Sequence, residues 1–149
     1  MGRKNKKVDH EDYIEAEESE YLYVAKSQIK GAGKGLFTAV DLYRDEFVSE
    51  YKGEVISEDE AESRAEKNKD KYFISMLDGT ILDSHNVDCF AKYANDANGM
   101  VKTGFRNNTQ IAEDPEGNVC LVVTKKIIKA GEEIFCSYGK EYWKKHALN

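Results

Sequence analysis

The sequence predicts an α+β fold, mostly β, and three observations carry that expectation. Short segments alternate apolar and polar residues with period two, turn residues separate them at close intervals, and only one stretch has the composition of a sustained helix. Tyr21-Leu22-Tyr23-Val24 opens the series as a β-prone segment. Glu46-Phe47-Val48-Ser49-Glu50-Tyr51 and Gly53-Glu54-Val55-Ile56 follow with rough alternation. Tyr72 to Leu77 and Thr80-Ile81-Leu82 flank Asp78-Gly79, a hairpin signal, because aspartate and glycine tolerate the backbone that a tight turn demands. Asn118 to Val123 follows a turn at Asp114-Pro115-Glu116-Gly117, and Lys129-Ala130-Gly131 turns the chain into Glu132-Glu133-Ile134-Phe135. Ser57-Glu58-Asp59-Glu60 is a capping box, and the Ala, Glu, Lys and Arg that follow predict a surface helix to about Lys69. A second short helix is expected near Val87 to Ala94.

The first twenty residues differ in character. Arg3-Lys4-Asn5-Lys6-Lys7 is basic and Asp9 to Glu20 is dominated by acids, so little apolar surface is available to offset the entropy of ordering. Residues 1–20 are therefore expected to be a flexible charged tail, with 21–149 forming one domain. The chain of 149 residues is 40% hydrophobic, enough for a core, and has no apolar run long enough for a membrane span or a signal peptide. An intracellular soluble protein, nuclear or cytoplasmic, is the expectation.

A net charge of −6 argues against direct nucleic-acid binding, which needs a basic face, and suits encounter with a basic partner, though solubility alone also accounts for it. Cys89, Cys120 and Cys136 are odd in number and far apart, a pattern for buried thiols rather than a disulfide framework or a zinc site. The Asp83-to-Asp88 cluster lacks the glycine and distal glutamate of a calcium loop, and His10, His85 and His146 have no partner at ligand spacing, so no metal is expected.

Four segments concentrate residues suited to chemistry. Gly31-Ala32-Gly33-Lys34-Gly35-Leu36-Phe37 allows close approach to backbone groups, but its spacing is not that of a phosphate loop. Tyr51-Lys52-Gly53 closes a strand, Ala91-Lys92-Tyr93-Ala94-Asn95-Asp96 sets polar side chains beside apolar ones, and Gly131 to Gly139 ends in Cys136-Ser137-Tyr138-Gly139. Taken singly, each also reads as a turn, a strand end or a core plug.

Their order along the chain, Gly-Lys-Gly-Leu-Phe, then Phe-Val-Ser-Glu-Tyr-Lys-Gly-Glu-Val-Ile, Ile-Leu-Asp, Asn-Asp and Gly-Glu-Glu-Ile…Ser-Tyr-Gly, resembles the SET-domain family of protein lysine methyltransferases. The resemblance runs from about Tyr21 to Trp143 and is to the small stand-alone members without cysteine-rich flanks. It implies a β-clip-like fold of several small sheets with a knot-like crossing of the Asn-Asp segment and the C-terminal motif. It also implies S-adenosylmethionine as cofactor and a lysine-bearing protein substrate, a histone tail being the natural choice; a homodimer is one expected assembly. By resemblance, Gly33, Lys34, Gly35 and Leu36 hold the amino-acid part of the cofactor. Asn95 takes its ammonium, Asp96 stands where the family has histidine and meets the adenine through its backbone, and Lys92 faces the cofactor carboxylate. Tyr138 and Tyr51 line the lysine channel, Cys136 stands where a Tyr or Phe tunes methyl number, Asn108 matches the family's Pro-Asn position, and Trp143 or Tyr142 caps the adenine or the channel.

The implied reaction is an in-line displacement at a sulfonium by a neutral amine. Alignment in a channel is worth up to about 7–11 kcal/mol in well-oriented systems. A lysine of ordinary pKa, roughly 10.4, loses its proton when an apolar channel and a nearby positive charge disfavour the ammonium. Cysteine at position 136 is smaller than tyrosine and a weak hydrogen-bonder, which implies room for more than one methyl, although a thiol simply packing in the core fits equally well. A module that grips a lysine-rich tail but turns over poorly is the alternative that Asp96 brings in.

Overall fold

The computed structural model describes residues 14–76, 78–98, 103–113 and 116–137. Among these the architecture is four small antiparallel sheets with very little helix, the arrangement the resemblance implies.

The chain enters through α1 (Glu18–Tyr21) into β1 (Leu22–Lys26), which pairs with β2 (Lys34–Thr38) from Leu22↔Thr38 to Lys26↔Lys34. Leu36, Phe37 and Thr38 of β2 are all buried, because β2 is the middle strand and β11 (Glu133–Ile134) covers its far edge. This strand replaces part of the glycine-rich turn expected from sequence; only residues 27–33 form the loop, closed by the Ser27 N–H donating to the Gly33 carbonyl at 2.7 Å.

A second sheet has the order β4-β9-β8, with β4 (Phe47–Tyr51), β8 (Thr109–Glu113) and β9 (Val119–Val123). Strand β4 is buried at Phe47, Val48, Ser49 and Tyr51. Its outer edge is held by α1: the Glu18 carboxylate accepts from Ser49 Oγ at 2.6 Å and from the Glu50 N–H at 3.0 Å, and Tyr21 donates to the Val48 carbonyl at 2.5 Å. The boundary placed at residue 20 thus falls inside α1, and Ile14 packs against the core. Residues 1–13 lie outside the described ones.

The third sheet, β5-β7-β6, joins β5 (Glu54–Ile56), β6 (Phe73–Ser75) and β7 (Ile81–Asp83) around the Asp78-Gly79 turn, where the Gly79 N–H reaches the Met76 carbonyl at 3.1 Å. A two-stranded sheet pairs β3 (Leu42–Tyr43) with β10 (Ile127–Ile128). Helix α2 (Glu58–Glu66) starts as its capping box demands, with Ser57 Oγ accepting from the Glu60 N–H at 3.1 Å. It stops short of Lys69 because Asn68 turns into the left-handed region at φ 61°.

The helix expected near Val87 to Ala94 is only one 3₁₀ turn, Ala91–Tyr93. The ammonium of Lys92 accounts for the difference: it is buried and donates to the Ser84 carbonyl at 3.1 Å and the Val87 carbonyl at 2.8 Å, so these acceptors serve a turn rather than a longer helix. The core joins the sheets through Leu36, Leu42, Val48, Leu121, Ile128 and Ile134, and Tyr51, Ala91, Ala94 and Cys136 belong to the same cluster. None of the described helices is long and apolar enough to cross a membrane.

Candidate active site

The site is assembled by Glu133. Its carboxylate is buried at 2% exposure and receives Ser27 Oγ at 2.7 Å on one oxygen and the Gln28 N–H at 2.8 Å on the other. The same Ser27 hydroxyl oxygen accepts from the Ile29 N–H at 3.0 Å. One side chain from the C-terminal motif therefore fixes the start of the glycine loop. A side chain at position 35 would displace the same carboxylate: a Cβ built there would lie 2.2 Å from Glu133 Oε2. Gly33 needs glycine for a different reason, a φ of +75°, and the space its Cβ would take is open.

Asn95 ties the third motif to this loop. Its Nδ2 donates to the Lys34 carbonyl at 2.9 Å, while its own carbonyl accepts from the Cys136 N–H at 2.8 Å. The neighbouring Asp96 is buried, and its carboxylate accepts from the Asn98 N–H and from Asn107 Nδ2, both at 2.9 Å. Asn107 Oδ1 accepts in turn from the Ala97 N–H at 2.8 Å. The charge of Asp96, where the resemblance implies a histidine, is thus engaged by amide donors of its own loop.

The knot-like crossing is present. Strand β11 and the two bridge residues after it, Phe135 and Cys136, run between two segments far away in sequence. On one edge Phe135 donates to Asn108 Oδ1 at 2.8 Å and its carbonyl receives the Asn108 and Thr109 N–H groups. On the other edge the Cys136 N–H donates to the Asn95 carbonyl at 2.8 Å, which makes Asn95 the parallel bridge partner of Phe135. Asn108 Nδ2 also donates to the Glu133 carbonyl at 3.0 Å. Phe105 stacks on Phe135 with ring centroids 5.3 Å apart.

Cys136 is 1% exposed, and its thiol is pushed up to about 12 chiefly by burial. The Thr109 hydroxyl opposes that shift and the charge of Asp96 adds to it. The thiol is therefore protonated and uncharged at neutral pH within the core cluster. Tyr51 is 2% exposed in the same cluster. One residue on, Lys52 borders a cleft of about 480 Å³ that Val24, Cys89, Phe90 and Tyr93 also line.

The structure thus brings Gly33, Lys34, Gly35, Leu36, Asn95 and Cys136 together through direct bonds or register, with Tyr51 in the adjoining core. The Lys92 ammonium is held by two carbonyls and lies 5.1 Å from the Tyr72 ring centroid and 5.7 Å from that of Tyr93. Tyr138, Tyr142 and Trp143 lie outside the described residues. Glu133 had no role assigned from sequence; its signal is the pairing of an acidic residue in one motif with a Gly35 that has no room for a side chain. Among the described residues, no group of three His, Cys, Asp or Glu side chains is arranged to hold a metal ion.

A SET domain family model matches residues 33–139. The chain is 35% identical over 134 residues to the histone-lysine N-methyltransferase EZH2 of Chaetomium thermophilum, covering 81% of this chain and 8% of that protein. It is 38% identical over 76 residues to the histone-lysine N-methyltransferase mes-2 of Caenorhabditis elegans, covering 49% of this chain and 10% of that one. Among solved structures it matches a humanized mutant of the Chaetomium thermophilum Polycomb Repressive Complex 2 bound to the inhibitor GSK126, with a TM-score of 0.68 at 32% identity, over 79% of this chain and 15% of the other. An active Polycomb repressive complex 2 in the stimulated state matches with a TM-score of 0.69 at 32% identity, over 80% of this chain and 15% of that one. The chain spans a tenth or less of the length of these curated relatives.

Proposed function

This chain belongs to the SET-domain family, and from that premise we propose that it transfers methyl groups from S-adenosylmethionine to a lysine side chain of a histone tail. The observation that carries the reading is the double engagement of Asn95, whose side chain holds the Lys34 carbonyl and whose backbone holds Cys136. One residue joins the segment suited to the cofactor to the segment suited to the acceptor.

The residues present fit the amino-acid end of the cofactor. The Lys34 carbonyl and the Asn95 amide are oxygen acceptors for an ammonium, and the open backbone at Gly33 offers room for close approach. Bound there, the cofactor supplies an electrophilic methyl on a sulfonium. Gly33, Lys34, Gly35 and Leu36 form one wall, Asn95 and Asp96 the next, and Trp143 is assigned to the adenine side by resemblance. Tyr51 and Tyr138 are assigned to the lysine channel.

The chain's own groups do three things in this reading. The −6 charge draws in a basic tail. Apolar burial around Tyr51 and Cys136 disfavours the ammonium form of an entering lysine, so the amine arrives neutral without a dedicated base. Cysteine at position 136 is smaller than tyrosine and a weak hydrogen-bonder, which supports addition of more than one methyl. A histone substrate places the protein's work in the nucleus. The names of the relatives and the engagement of Asp96 by its own loop both favour transfer over passive binding.

Incubation of the chain with methyl-labelled cofactor and mixed histones tests the reading. Label on a histone lysine, mapped by mass spectrometry, is the expected result. Cofactor binding without transfer would leave only the tail-gripping module.

A further inference from the structure

Helix α2 lies outside the convergence of Gly33, Asn95 and Cys136, yet one of its side chains reaches a buried carboxylate beneath it. Arg64 Nη1 donates to Asp83 Oδ2 at 2.7 Å and to Glu54 Oε1 at 3.0 Å, and its Nε donates to Glu60 Oε2 at 2.8 Å. Exposed ion pairs are weak, but Asp83 is 1% exposed, so this contact joins α2 to the interior of the third sheet. The other Asp83 oxygen accepts from the His85 N–H at 2.9 Å.

The backbone at Asp83–Ser84 is the junction between the two motifs that frame the acceptor channel and the cofactor. A Cβ built on Gly53 would lie 2.5 Å from the Asp83 carbonyl oxygen, so the two backbones are in direct contact two residues after Tyr51. Ser84 Oγ donates to the Lys52 carbonyl, one residue after Tyr51. The Ser84 carbonyl accepts from Lys92 Nζ, three residues before Asn95.

We propose that Arg64 is a positioning residue for methyl transfer, acting through Asp83 and Ser84 to set the end of β4 at Tyr51 and the 3₁₀ turn that leads to Asn95. This rests on the methyltransferase reading above. A lysine at position 64 carries the charge but not the planar fork that reaches three carboxylates at once, so it restores the link only in part. The coupling has leverage because a misplacement of about 1 Å in a reacting centre costs as much as roughly 100-fold in rate.

The test compares the parent chain with Arg64→Gln, Arg64→Lys and, as a control on the same helix end, Lys67→Gln, which is exposed. The readouts are kcat, KM for cofactor and for histone peptide, the folded fraction, and hydrogen exchange at the Val87 and Ala94 amides, which donate to Ser84 and Ala91. Arg64→Gln is expected to lose about 10- to 100-fold in kcat per folded molecule, with faster exchange at both amides. Arg64→Lys should fall between it and the parent, and Lys67→Gln should match the parent. Unchanged kcat per folded molecule in Arg64→Gln, or parent-like exchange at Val87 and Ala94, would overturn the proposal. If Arg64→Gln does not fold, Arg64→Lys carries the same comparison. A parent chain that transfers no methyl defeats the functional reading alone; exchange at Val87 and Ala94 still decides whether Arg64 governs this junction.

Discussion

The carboxylate of Glu133 occupies the space that any side chain at position 35 would need, with its Oε2 only 2.2 Å from where a Cβ on Gly35 would stand. Two motifs separated by almost a hundred residues are therefore one structural unit. The acid holds the loop through Ser27 and Gln28, and the glycine makes room for the acid.

Gly35→Ala should destabilise the fold by about 1–3 kcal/mol, the usual cost of forcing an extra carbon into a packed interior. Urea denaturation measures it. In a Glu133→Ala background the same change should cost less, since the clash is gone; strict additivity of the two effects would refute the contact.

Asn95→Ala removes the donor to the Lys34 carbonyl and with it the tie between the Asn95 segment and the glycine motif. Loss of one such bond, about 1 kcal/mol, together with the lost acceptor for the cofactor ammonium, should weaken S-adenosylmethionine binding by about tenfold or more. Calorimetric titration against the parent gives the ratio, and equal affinities would remove Asn95 from the site.

Cys136→Tyr places a larger, hydroxyl-bearing ring where a buried neutral thiol now stands. Product distributions on a histone peptide, read by mass spectrometry, should shift toward fewer methyls per lysine. An unchanged distribution would mean that Cys136 serves packing alone.

Stability should fall in alkali. The Cys136 thiol is raised from its ordinary 9.0 to about 12, so the folded chain keeps a proton that the unfolded chain releases. Its contribution is complete below pH 9.0 and is lost as pH climbs from there toward 12. Tyr21, held well above the usual phenol range by burial and then by Glu18 and Glu46, acts in the same direction above pH 10.0. Denaturant midpoints should decline across this window, with a shallower decline in Cys136→Ala and in Tyr21→Phe.

Strands with alternating patterns, the Asp78-Gly79 hairpin and the Ser57 cap were legible in sequence because each is a local device. Strand β2 was hidden under its glycines: Lys34–Thr38 is extended because β1 and β11 flank it, and β11 comes from a hundred residues downstream. Strand β8, Thr109-Gln110-Ile111-Ala112-Glu113, has little strand character of its own and exists by pairing with β9. The motif order singled out Gly33–Gly35, Asn95 and Cys136, and Asn95 bonds to both Lys34 and Cys136. Glu133 and Asp83 stand inside those motifs, yet the motif order assigned them no role, because the Ser27–Glu133 and Arg64–Asp83 contacts are set in tertiary structure across 106 and 19 positions.

Because residues 133–136 are gripped by Asn108 on one margin and Asn95 on the other, this segment must be inserted between pieces that precede it. On a ribosome those pieces emerge first and can wait, half-formed, for the insertion that completes them. A product stalled before residue 133 would then hold most of its sheets and lack the joint between Asn95 and Cys136.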